Sequence, residues 1–472
     1  VLVQLHQGVI KHVLAWITNI VGKDEVDARV KRLPPNHSIH NFHKGITGLS
    51  RVTGAEHKQI SRFILGLLID LPLPRGDSSE LIDATKALLD FLYMSQYSVH
   101  SDTTLQALEG SLAEFHAKKD VFIRLGARSN FLIPKLHMLT HYVRAIRYYG
   151  TTDNYNTEST ERLHIDFAKE AYRATNRKDE FPQMTKWLER REKVLQHADY
   201  VGWRLLRAES GRDDLIASRQ GVRWRPPDLA CTLNHLMTKH PSRKAVPITE
   251  LVAPDGYDAT HLMPALARFL IEHNNPGISR NEVEAQAAYV RFPFATLPVF
   301  HKAKFRNLEY HGKETLDSIH ARPRKLGGNS DILIPSRFDT ALVQVRHIEP
   351  AAEDMRIGRV HAIFSIPQKF HNQLIPSMPN IRCPRHLVYV DWFSKFARSP
   401  DSHYQMYKVT TLTGGERIGS VVPLALLERS VHLHPKWGGP VPAHWTSENV
   451  LDECTTFYLN PYKNPHDFYN LY

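Results

Sequence analysis

Leu5, Val9, Val13 and Ile17 recur every fourth residue at the start of the chain, and the same spacing returns in Leu105, Leu108, Leu112 and Phe115. Apolar side chains three or four apart lie on one stripe of an α-helix, and such a stripe must be buried against a neighbour. The pattern holds from Leu2 to about Met138 and predicts a bundle of roughly five to seven helices. Thr53 and Glu56 have the spacing of a capping box ahead of HKQISRFILGLLI, and the polar HSDTT opens the second stripe. The proline-rich DLPLPRGDSS, Asp70 to Ser79, reads as a loop between helices. FLIPKLHMLTHYVRAIRYYG continues as helix after Pro134 and closes at Gly150.

The chemistry changes past ITELVAPDGYDATHLMPALARFLIEHNN. RIGRVHAIFSI, RHLVYVDWFSKF, YQMYKVTTL and IGSVVPLALL are short β-branched and aromatic runs that read as strands. TGGE, Thr413 to Glu416, reads as a Gly-Gly hairpin turn between the last two. Helices first and antiparallel strands afterwards predict an α+β chain ending in a small β-barrel or sandwich. A division follows from these shifts: 1–150 helical; 151–220 a second, highly charged helical region; 221–350 mixed α/β, opened by the Pro pair of GVRWRPPDLA; and 351–472 barrel-like.

An excess of 60 Lys+Arg over 49 Asp+Glu gives a net charge of +11. That balance suits a polyanionic partner, whether DNA, RNA or a membrane surface. The longest apolar run, FILGLLI, is too short to span a bilayer, so no membrane span is predicted. Cys231, Cys383 and Cys454 are far apart and form neither a disulfide framework nor a Cys-x-x-Cys zinc site, which favours a reducing compartment. The first residues, VLVQLHQG, carry no initiator Met and no secretory layout, and read as the continuation of a longer chain.

The stretch YNTESTERLHIDFAKEAYRATNRKDEF places Glu158 and Glu161 three residues apart, followed by His164, Asp166 and several bases. Two readings are open. Thr157 or Thr160 caps a solvated helix whose first-turn Glu is stabilised by the helix dipole. Alternatively, one Glu completes a carboxylate cluster that clamps two Mg²⁺ ions about 3.5–4 Å apart. Lys169, Arg173 and Arg177, spaced by four, share a helix face that either contacts phosphate or is simply solvated, with Asp166 and Glu170 interleaved. His137 and His141 are also four apart, but no HExxH accompanies them, so packing or phosphate contact is preferred to zinc. The pairs His40/His43 and His432/His434 are read as structural. Arg291, Lys302, Lys304 and Arg306 alternate with Phe300, Phe305 and Tyr310. That alternation suits either nucleic-acid backbone contact with base stacking or a strand with one buried face.

LHQGVIKHVLAW, GLSRVTGAEHKQISRFILGLL, PKLHMLTHY, the long run from Tyr155 to Trp203, and MYKVTTLTGGERIGSVVPLALLERSVHLHPKWG closely resemble Plavaka-type transposases, CACTA-like cut-and-paste enzymes of mushroom-forming fungi. The resemblance covers nearly the whole chain. It implies an RNase H-like catalytic core in which two Asp and one Glu bind Mg²⁺, with an all-helical insertion ahead of the Glu. On it, Leu2 to Met138 is the insertion, Glu161 of STERLH is the third carboxylate and Mg²⁺ ligand, and Glu158 is the alternative. Lys135 or His137 of PKLHMLTHY then faces DNA near the active site. DNA at transposon ends is the implied partner, chromatin and a second copy are further ones, and the nucleus is the implied location.

The segment matching VLVQLHQG usually reads Asp-(Leu/Ile/Val)-Leu-His-Gln-Leu in such enzymes, which places the second Asp just before Val1 and puts Val3 where a His is usual. The first Asp and its sheet are expected further upstream. One carboxylate cannot hold two Mg²⁺ ions, so the chain as written is expected not to cut DNA. The segment around Glu161 is expected to be poorly anchored without those strands. VYVDWF to VHLHPKW is similar in layout to chromatin-binding barrels of the bromo-adjacent type, an analogy of fold alone in which Asp391 and Trp392 are structural. Two further readings stand beside the transposase: a relic DNA- or chromatin-binding module without chemistry, and a helical oligomerisation protein.

Overall fold

The computed structural model describes residues 2–155, 163–209, 234–308, 314–327, 332–345, 355–376, 383–412 and 419–471. The fold is α+β, with helices over the first 209 residues and mainly antiparallel strands after them. Leu5, Val9, Val13 and Ile17 are buried as their spacing predicts, although Leu2–Ile10 winds as a π-helix before the α-helix Lys11–Val21 begins. Further helices span Lys23–Lys31, Gly54–Ser61, Arg75–Met94, Asp102–Lys118, Pro134–Leu139 and Tyr142–Tyr149. The predicted capping box is formed: Thr53 Oγ1 accepts from the Glu56 N–H at 3.2 Å, and the Glu56 carboxylate accepts from the Thr53 N–H at 2.7 Å. Ser101 and Thr104 cap Asp102–Lys118 in the same reciprocal way, and its stripe of Leu105, Leu108, Leu112 and Phe115 is buried.

Two local expectations shift. The helix opened by Thr53 ends at Ser61, and FILGLLI becomes a fully buried 3₁₀ turn at Ile64–Leu68. The loop of Asp70 to Ser79 is shorter than predicted: a helix starts at Arg75, with Pro74 extended at its N-cap (φ −49°, ψ 138°).

All four runs read as strands contain strand: Met355–Phe364, Leu387–Trp392, Lys408–Thr410 and Gly419–Pro423. Met355–Phe364 pairs with Leu387–Trp392 on one side and with Thr340–Gln344 and Thr296–Phe300 on the other. Gly419–Pro423 extends this sheet beside Leu387–Trp392. In a second sheet Lys302–Leu308 lies between Asn234–Leu236 and Glu314–Arg322. The hairpin expected at Thr413 to Glu416 does not join its neighbours. Lys408–Thr410 pairs with Thr456–Tyr458, while Gly419–Pro423 pairs with Leu387–Asp391 in another sheet. Burial decides this, since Val409 and Phe457 enter one core and Val421 enters the other. Residues 413–416 themselves lie outside the described residues.

The first core gathers the N-terminal helices together with Phe393, Leu433, Trp437, Phe457, Tyr462 and Phe468 from the far end of the chain. The second is built on the strands between Val246 and Leu427. Residues 1–150 and the last part of 351–472 therefore share one interior. Polar contacts lock them together. Arg29, with no exposed side-chain area, donates to the carbonyls of Leu67 (2.9 Å), Ile69 (2.5 Å) and Gly439 (2.9 Å), and its guanidinium lies 5.5 Å from the Trp437 ring centroid. Trp437 Nε1 donates to the Gly66 carbonyl at 3.0 Å, and Asn460 Nδ2 to that of Arg62 at 2.8 Å. A buried charge cluster ties in the second sheet: Lys463 Nζ reaches Asp467 at 3.0 Å and Ser430 Oγ at 3.0 Å, while Asp317 accepts from the Ser430 N–H and hydroxyl at 2.8 Å each.

Candidate nucleic-acid interface

Glu158 and Glu161, the candidate catalytic and metal-binding carboxylates, lie outside the described residues; of the segment expected to be poorly anchored, Leu163, Ile165, Phe167 and Tyr172 are exposed and Ala171 is buried. Among the described residues no group of three or more His, Cys, Asp or Glu side chains is arranged to hold a metal ion. The stretch leading into them is well held: Thr152 Oγ1, buried, donates to the Ser95 carbonyl at 2.9 Å.

Lys135 and His137 stand just upstream. Pro134 starts their helix, Leu136 and Leu139 turn inward, and Lys135, His137 and Met138 are left outside. The next helix repeats the arrangement. Tyr142, Val143 and Ile146 are buried, while Arg144, Arg147, Tyr148 and Tyr149 are exposed. The exposed rings of His137 and His141 meet edge-on at 5.0 Å, an aromatic contact. Lys135 also contributes to a cationic corner. Burial, then Arg128, Lys11 and Lys135 in that order, lower the pKa of His12 from its ordinary value. Arg128 caps the aromatic cluster beneath, 4.9 Å from the Trp16 centroid and 5.5 Å from that of Phe131.

Lys169 and Arg173 are exposed, but Arg177 does not share their face. The helix ends at Arg173, and Arg177 sits in a turn with φ +63°, followed by Asp179 at +45°. Asn176 makes this turn: its side-chain oxygen accepts from the Lys178 N–H at 3.0 Å and from Gln183 Nε2 at 2.8 Å. The 30-residue helix Glu180–Glu209 follows. Glu170 and Arg191 link it to the preceding turns at 3.5 Å, with the Arg191 guanidinium 6.0 Å from Phe167 and 5.4 Å from Trp187. Several of its apolar side chains are open: Phe181 is 74% exposed, Val194 68%, Leu195 57% and Leu205 61%.

The alternating segment resolves in two halves. Ala303 and Phe305 are fully buried under Lys302–Leu308, and Phe300 is buried beside them, so neither phenylalanine is free to stack on a base. Tyr310 lies outside the described residues. Lys302, Lys304 and Arg306 share the opposite face, with Lys304 and Arg306 exposed. Lys302 is less available. It pairs across the sheet with His320, and burial, Lys304 and Arg337 lower its pKa. Arg291 is exposed and donates to the carbonyls of Ala288 and Val290, both at 3.1 Å.

Of the remaining histidine pairs, one is interior and the other, His40 and His43, is exposed. His432 and His434 are buried, with rings 5.1 Å apart, and His40 packs edge-on against Phe42 at 4.7 Å. Asp391 faces His361 at 3.3 Å, and Trp392 Nε1 donates to Ser420 Oγ at 2.9 Å, which holds neighbouring strands together. The residues that the sequence reading passed over are Arg144, Arg147, Tyr148 and Tyr149. Their signal is present in VRAIRYYG, where Val143 and Ile146 take the buried stripe and leave these four outside it. Comparison with known protein families, with curated proteins and with solved structures finds no match to this chain.

Proposed function

We propose that this chain is the helical insertion, the carboxylate-bearing helix and the accessory C-terminal part of a DDE-type, Mg²⁺-dependent DNA transposase of the Plavaka type, and that its described surface serves to bind DNA in the nucleus. The observation that carries this reading is the exposed cationic face of residues 134–149, which runs directly into the chain segment bearing Glu158 and Glu161. Lys135, Arg144 and Arg147 stand there on two short helices whose inward sides are fixed by Leu136, Leu139, Val143 and Ile146, with the exposed rings of His137 and His141 beside them. Cations on a rigid base neutralise phosphates and release their counterions, which is the dominant source of affinity that does not depend on sequence. Lys304 and Arg306 supply a second cationic row. Transposon ends are the proposed DNA, with chromatin as the wider setting.

The open apolar side of Glu180–Glu209 supports the same reading. Large side chains such as Leu195 and Leu205 in water are costly, and a strand layer of the RNase H-like kind would cover them. The same surface favours one other reading, a helical protein that uses this face to bind a second copy.

The test uses the chain extended upstream by the two Asp-bearing segments that the transposase resemblance implies. Glu161→Gln is expected to abolish strand cleavage and leave DNA binding intact, because the amide keeps the shape and loses the charge. Glu158→Gln is expected to cost less, as a residue at a helix entry contributes about 1 kcal/mol. Full cleavage by both variants would remove the catalytic role from this segment.

A further inference from the structure

Tyr148 and Tyr149 are each 70% exposed, and Tyr155 is 38% exposed. They are neighbours: the ring centroids of Tyr148 and Tyr149 lie 6.4 Å apart, and those of Tyr149 and Tyr155 lie 6.4 Å apart. The Arg144 guanidinium stands 5.5 Å from the Tyr148 centroid. Three linked rings in water, one of them against a cation, are an expensive surface for a chain to keep unless something stacks on it.

The backbone beneath these rings is fixed. Gly150, with φ +82°, closes the helix by donating from its N–H to the Ile146 carbonyl at 2.9 Å. Asn154 Nδ2 then donates to the Tyr149 carbonyl at 3.1 Å, and Thr152 is anchored on Ser95 at 2.9 Å. The rings are thus held on a rigid turn between two anchored elements, which lowers the ordering cost of binding to them. The charges around them are mixed but mainly positive: Arg144, Arg147 and Lys135 against Asp102, which pairs with Arg147 at 3.1 Å, and Asp153.

We propose that Tyr148, Tyr149 and Tyr155, with Arg144, form a stacking platform for the unpaired bases of single-stranded DNA. This rests on the DNA-binding reading above and adds the form of DNA that this face takes. A duplex hides its base faces inside the stack and offers only phosphates here, whereas a single strand presents both a phosphate row for the cations and π-faces for the tyrosines. Phe300 and Phe305 are buried and cannot serve in this way, whereas Tyr148 and Tyr149 are open beside Arg144.

The experiment measures the affinity of the 472-residue chain for a fluorescent oligo-dT single strand and for a duplex of the same length, at one fixed salt concentration. Tyr148→Ala with Tyr149→Ala is expected to weaken single-strand binding by about 10-fold or more, and duplex binding by less than about 2-fold. Tyr148→Phe with Tyr149→Phe keeps the rings and is expected to restore single-strand affinity. An equal loss on both DNAs, no loss on the single strand, or no recovery with Phe would overturn the platform. If the unaltered chain binds the duplex while the platform test fails, the DNA-binding reading survives. If it binds neither DNA, both readings fall.

Discussion

Replacing Arg29 with Ala tests whether the two ends of the chain form one folding unit. The side chain has no exposed area and ties Lys23–Lys31 to the 3₁₀ turn at Ile64–Leu68 and to the C-terminal Gly439. Ala leaves the carbonyls of Leu67, Ile69 and Gly439 without this donor and uncovers the Trp437 ring. Losing the partner of a buried polar group costs about 1–3 kcal/mol, and part of that is recovered where water reaches the vacated space. Glu25, at 24% side-chain exposure, rehydrates and adds little. Summed over the three carbonyls and reduced by that recovery, a loss of about 3–5 kcal/mol is expected. Against an ordinary domain stability of about 5–15 kcal/mol this is a large fraction. Arg29→Lys keeps the charge without the planar fork and should fall between the two. Urea unfolding followed by tryptophan fluorescence and by far-ultraviolet circular dichroism reads the change, and both signals should move together. A loss below about 1 kcal/mol, or helices that melt independently of the tryptophan signal, would refute the reasoning.

Acid should destabilise the fold through three buried histidines. Burial holds His6 and His434 neutral, each with a pKa lowered to about 3, and His432 well below its ordinary value. Their contribution is complete above the unfolded value near 6.5 and is lost as pH falls from there toward 3, by about 1.4 kcal/mol per pH unit for each of His6 and His434. The urea midpoint at pH 5.5 is therefore expected to lie clearly below that at pH 7.5, and equal midpoints would count against burial of these rings. Gly66→Ala places a Cβ on the His434 imidazole and is expected to cost about 1–3 kcal/mol. Combining it with His434→Ala should relieve the clash, so strictly additive losses in the double variant would disprove the contact.

What was legible in the sequence was local. The stripe of Leu5, Val9, Val13 and Ile17 and the box of Thr53 and Glu56 are set by residues three or four apart, and both are present as predicted. Met355–Phe364 and Leu387–Trp392 declare themselves by β-branched content in the same way. Partner choice was not legible. Lys408–Thr410 pairs with Thr456–Tyr458, some fifty residues on, because its Val409 enters a core shared with the N-terminal helices, and no Gly-Gly turn reports that. The charge cluster of Lys463, Asp467 and Asp317 is likewise assembled from distant positions. At the candidate interface, the alternation around Phe305 fitted both a stacking surface and a buried strand face, since both have period two. Arg177 left the expected face because Asn176 stabilises a left-handed turn that a four-residue charge spacing does not reveal.

The most direct test of the account is the salt dependence of duplex DNA binding by the whole chain. The logarithm of the binding constant should fall linearly with the logarithm of salt concentration, with a slope of about −0.9 for each phosphate neutralised and little preference among sequences. Lys304→Ala with Arg306→Ala should make that slope shallower by about 2, one for each phosphate contact removed. Failure to bind duplex DNA at low salt, or an affinity indifferent to salt, would contradict the claim that this cationic surface exists to hold DNA.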